Sequence, residues 1–71
     1  MSDGKRRSDA IRKFRKSLGK TQVEFAELLG IGQSAISNYE SGGRALEKEV
    51  ETKMLELAAE HSYPLTVFDL R

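Results

Sequence analysis

Residues 21–40 read TQVEFAELLGIGQSAISNYE, and this stretch decides the fold. Two short helical patterns flank a turn at Gly30-Ile31-Gly32. The first offers an apolar face of Val23, Phe25, Ala26, Leu28 and Leu29; the second offers Ala35, Ile36 and Tyr39. Thr21 and Glu24 form a T-x-x-E capping box, in which each side chain satisfies the other residue's backbone N–H. Gly30 ends the first helix, where glycine accepts positive φ most easily. A pair this short cannot bury its own apolar face, so the flanking segments must complete the core. Gln33, Ser34, Ser37 and Asn38 face outward on the second helix and are short and uncharged, unlike an ordinary solvated face. That helix is shaped to enter something.

Outward from this pair, residues 1–8 (MSDGKRRS) contain no apolar residue after Met1 and predict a mobile basic arm. Ser8 or Asp9 can cap a first helix running to about Leu18, on which Ile11, Phe14 and Leu18 form one buried stripe. Gly19 ends it. The third helix spans about 33–41 and breaks at Gly42-Gly43. A fourth helix of about 46–61 carries Leu46, Val50, Met54, Leu57 and His61 on one face, widened by Leu55 and Ala58. Its early Glu47 and Glu49 suit the positive end of the helix dipole. Pro64 ends this element. The tail, residues 63–71, is rich in β-forming residues and reads as an extended tail that could form a short strand. One turn of helix capped by Thr66 is the alternative. The expected fold is all-α: a compact four- to five-helix domain at 9–62, with an arm at 1–8 and a tail at 63–71.

Seventy-one residues make one small domain, near the lower limit for a self-sufficient core, and domains of this size often gain stability by pairing. Leu65, Val67, Phe68 and Leu70 make the tail the candidate dimerisation element. There is no cysteine, hence no disulfide or thiolate metal site. No apolar run approaches the ~18 residues of a membrane span, and no signal-peptide pattern opens the chain, so a cytoplasmic protein is expected. His61 is the only histidine. No nucleophile–base pair or metal cluster can be assembled around it, so neither an enzyme nor a cofactor is expected. The net charge of +1 hides an asymmetry: residues 1–20 hold eight Lys/Arg against Asp3 and Asp9, while residues 21–43 hold none. Clustered basic charge points to a polyanion partner.

From about Ile11 to Ala58 the chain resembles the phage-repressor and Cro-like helix-turn-helix family, the XRE-like regulators. The residues that carry the resemblance are Thr21-Gln22, Phe25-Ala26, Leu29-Gly30, Ile36, Tyr39-Glu40 and Gly42. Ala26 must be small where the third helix crosses, Gly30 makes the turn, and Leu29, Ile36 and Tyr39 fill the wedge between the helices.

The resemblance implies a repressor-like domain whose third helix enters the major groove of double-stranded DNA. It implies base reading by Gln33, joined on the same face by Ser34, Ser37 and Asn38; Gln and Asn can pair with adenine through two hydrogen bonds. Gln22 matches the family's phosphate-binding glutamine. Arg44 is placed for the phosphate across the groove, and Lys5, Arg6 and Arg7 could follow the backbone as an arm. Arg15 and Glu40 match a partly buried ion pair that clamps the first helix to the third. Two departures stand out: Gly32 replaces the usual Ser or Thr cap, and the common proline after the Gly-Gly loop is missing.

Three functions fit these features. The first is a small phage or prophage regulator of the Cro and repressor type, binding a palindromic operator as a homodimer. The second is an antitoxin that binds its own operon and holds a toxin with its tail. The third is a helix-turn-helix adaptor that binds only proteins.

Overall fold

A computed structural model describes residues 3–71 of the chain. The order is α1 (Asp3–Ser17), α2 (Gln22–Leu29), α3 (Gln33–Ser41), α4 (Lys48–Glu60) and a 3-10 turn (Val67–Leu70). Among the described residues there is no strand, and the fold is all-α.

The capping box forms at the start of α2. Glu24 N–H donates to Thr21 Oγ1 at 3.1 Å, and Thr21 N–H donates to Glu24 Oε1 at 3.0 Å. Gly30 and Gly42 end α2 and α3 with φ of 69° and 81°, in the left-handed region that a side chain would strain. The turn between them sets α3 across α2, and α3 packs along α1. Ile11 and Phe14 from α1 meet Phe25, Ala26 and Leu29 from α2, Ile36 and Tyr39 from α3, and Val50, Met54 and Ala58 from α4 in one core. Phe14 lies at its centre, edge-on to Phe25 with centroids 5.7 Å apart and against Tyr63 at 4.8 Å.

Four expectations change. First, α1 begins at Asp3, so residues 3–8 are helical where an arm was expected; Met1 and Ser2 lie outside the described residues. Apolar residues do not cause this extension. Ser8 is buried inside the helix, and its hydroxyl donates to Lys5 O at 3.0 Å, so it is no N-cap. Arg7 Nη2 reaches Arg44 O at 3.5 Å and ties the first turns to the loop after α3.

Second, the tail takes its helical alternative. Thr66 N–H and hydroxyl both donate to Asp69 Oδ2, at 2.9 and 3.1 Å, and nucleate the 3-10 turn. Leu70 then drops into the core and belongs to this chain's own interior, not to a surface awaiting a partner. Third, Val23 and Leu28 are about half exposed, at 52% and 51%. Positions 25, 26 and 29 define the buried stripe of α2, and 23 and 28 lie to either side of it. Fourth, α4 starts at Lys48, leaving Leu46 in the preceding loop, and His61 is exposed beyond its end.

Candidate nucleic-acid interface

Gln33, Ser34, Ser37 and Asn38 are all exposed along one side of α3. The opposite side buries Ile36 and Tyr39. Gly32 precedes the helix with no side-chain cap hydrogen bond, so Gln33 and Ser34 stand at an end free of capping side chains. The exposed face carries amide and hydroxyl groups and no charge, suited to exchanging hydrogen bonds with base edges without repelling or trapping phosphate.

Behind this face, Glu40 is a hub. Its carboxylate accepts from Arg15 twice, from Nε to Oε2 at 2.6 Å and from Nη2 to Oε1 at 3.0 Å. The side chains are only 14% and 4% exposed, so the pair lies largely out of water. The hydrogen bond to Glu40 pushes the Arg15 pKa above its ordinary value, against an opposing effect of burial. Arg15 Nη1 also donates to Lys20 O at 2.9 Å, holding the loop before α2. Gln22 Nε2 donates to Glu40 Oε1 at 3.2 Å, and Gln33 Nε2 donates to Gln22 Oε1 at 3.0 Å. A continuous chain therefore runs Arg15–Glu40–Gln22–Gln33, from the core edge to the exposed end of α3. One N–H of Gln33 is spent on Gln22; the second N–H and the carbonyl oxygen remain for a two-bond contact outward.

Arg12 was not singled out by the sequence. Its Nη2 donates to Glu40 O at 2.6 Å, capping the C-terminal end of α3, while Nη1 pairs with Asp9 at 3.3 Å. Its position three residues before Arg15, on the same side of α1, was the available signal. Arg44 lies over the Tyr39 ring at 5.5 Å and is 3.5 Å from Glu47. Lys5 and Arg6 are exposed on α1, and Arg7 is half-buried beside Arg44. In the tail, Phe68 is 73% exposed, while Leu65 and Val67 are half-buried.

No group of acidic, histidine or cysteine side chains among the described residues could hold a metal ion. No described helix is long and apolar enough to cross a membrane.

An α2–turn–α3 unit with a buried clamp behind an uncharged polar face defines a helix-turn-helix module. The comparisons agree: the family HTH_3, described as helix-turn-helix, matches residues 11–59, and the chain belongs to this XRE-type family. The chain is also similar to an uncharacterized HTH-type transcriptional regulator from Archaeoglobus fulgidus, 39% identical over 59 residues. That match covers 78% of this chain but spans only 26% of the relative. No solved structure matches the chain.

Proposed function

We propose that this chain acts as a DNA-binding transcriptional regulator of the Cro and repressor type, reading double-stranded DNA with α3 in the major groove. The observation that carries the reading is the Glu40–Gln22–Gln33 relay. It ties one N–H of the Gln33 amide and leaves the other N–H and the oxygen, the pair that adenine N7 and N6 require. Ser34, Ser37 and Asn38 extend the contact along the same face. Gln22 and the N-terminus of α2 take a phosphate on one side of the groove, and Arg44 takes one on the other. Family membership and the name of the archaeal relative support the same reading.

One module covers one half-site, so a two-fold dimer on a palindromic operator completes the proposal, with half-sites about 34–36 Å apart. Exposed Phe68, flanked by Leu65 and Val67, supports the tail as the pairing surface. Selecting bound duplexes from a random pool tests the whole reading. An enriched palindrome is expected; a pool that stays random after selection would rule out sequence-specific binding and favour the adaptor reading.

A further inference from the structure

The described residues leave three large apolar side chains exposed: Val23, Leu28 and Phe68. Leu28 lines an open groove of about 410 Å³ with Leu29, Gly30 and Leu57, between the end of α2 and the second half of α4. On α4, Lys53, Glu56, Leu57 and Glu60 recur at i, i+3, i+4 and i+7. They form a second face of that helix, beside the one that buries Val50, Met54 and Ala58.

The groove and the tail are opposite in character. In the groove the carboxylates of Glu27, Glu56 and Glu60 outnumber one cation, Lys53. Among the described residues none of these three carboxylates is ion-paired. Beside the tail, Arg6 and Lys13 line the hollow between it and α1, and neither of them is ion-paired. Both carboxylates in that hollow are engaged, Asp9 by Arg12 at 3.3 Å and Asp69 by Thr66 N–H at 2.9 Å. Phe68 immediately precedes Asp69 on the same 3-10 turn. The chain therefore carries an exposed ring in a basic setting and an apolar groove in an acidic one.

Tail-on-tail pairing would bury little. Leu70 is in the core, and Leu65 and Val67 are half-buried against their own chain, which leaves Phe68 as the tail's one large open side chain. Stable interfaces bury about 800 Å² on each partner, so the ring needs a larger receiving surface than another ring. We infer that the α2–α4 groove of a second copy is that surface. Phe68 of each copy enters the groove of the other, against Leu28 and Leu57, and Lys13 faces the acidic residues at 56 and 60. Each copy gives one ring and receives one, so the contact closes as a two-fold pair. The inference rests on the proposed pairing through the tail and names what the tail binds.

The test is sedimentation of the full chain, with far-UV circular dichroism as the folding control. Leu28→Ser and Phe68→Ser, both at exposed positions, should each raise the dimer dissociation constant about tenfold or more. Glu60→Lys should weaken pairing as well. A labelled Phe68→Ser chain should gain mass when unlabelled Leu28→Ser chain is added, because one intact ring and one intact groove then meet. It should gain none with unlabelled Phe68→Ser chain. If Leu28→Ser pairs as the unmodified chain does while Phe68→Ser does not, the groove is overturned and pairing through the tail stands. A mixture of the two variants that gains no mass also overturns the groove. If the unmodified chain stays monomeric at every concentration, the pairing and the inference fall together.

Discussion

Arg15 holds Glu40 through two hydrogen bonds, at 2.6 and 3.0 Å, across the junction of α1 and the end of α3. Twenty-five positions separate them in sequence, yet their contact ties the end of α3 to α1. With both side chains largely out of water, removing either partner strands a charge. Arg15→Met or Glu40→Leu should each cost ~3–5 kcal/mol in denaturant unfolding. The double variant should recover much of that loss, since neither charge is then left alone. Strict additivity would show that the two residues are not coupled.

Gln33 should behave as a chooser of sequence. Gln33→Ala should lose ~1–3 kcal/mol of binding, concentrated at one base pair of the selected site. Competition between duplexes differing at single positions measures this. Equal weakening on every duplex would remove Gln33 from base reading.

Arg44 should behave in the opposite way. It is exposed, lies over the Tyr39 ring, and follows the Gly42-Gly43 link. Arg44→Ala should weaken binding to all sequences alike and lower the salt slope by about 0.9. A change in the ranking of sequences would contradict this.

Phe68 and Leu70 are two residues apart and should part company. Leu70 is fully buried, so Leu70→Ala should destabilise the fold by ~2–5 kcal/mol. Phe68 is 73% exposed, so Phe68→Ser should leave the melting temperature of the monomer nearly unchanged but reduce self-association in sedimentation. If sedimentation of the two chains is identical, the tail is not the dimer contact.

Acid should loosen α2 first at its capping box. The Thr21 backbone N–H holds the Glu24 carboxyl below its ordinary pKa, helped by the Thr21 hydroxyl and Lys20. A carboxylate whose pKa is lower in the folded chain adds stability above its unfolded value and loses it as pH falls through the folded one. Stability should therefore decline on acidification below the ordinary glutamate range, and Glu24→Gln should flatten part of that decline. Unfolding midpoints collected across the acidic range would show it; parallel curves for the two chains would exclude it.

Much of this domain was legible in the chain. Thr21 with Glu24, and glycines at 30 and 42, are local signals: each acts on backbone within a few residues, so α2 and α3 were readable to the residue. The Arg15–Glu40 contact was legible only through the family resemblance, because nothing local joins positions 15 and 40. The start of α1 was misread for a related reason. Residues 3–8 lack apolar side chains, and what accompanies their helix is Ser8 bonding back to Lys5 and Arg7 reaching the loop at Arg44. The tail was misread because β propensity depends on context, and Thr66–Asp69 with a core opening for Leu70 outweighed it.

By itself, then, the sequence determined the helix-turn-helix, the polar face of α3 and the amphipathic stripes around it. These follow from capping chemistry, glycine geometry and periodicity, all of which act at short range. Tertiary structure decided which distant polar groups meet. It gathered Arg12, Arg15 and Gln22 on Glu40. Ion pairs and hydrogen bonds between distant residues depend on how helices pack, and that packing is a property of the whole core rather than of any stretch within it.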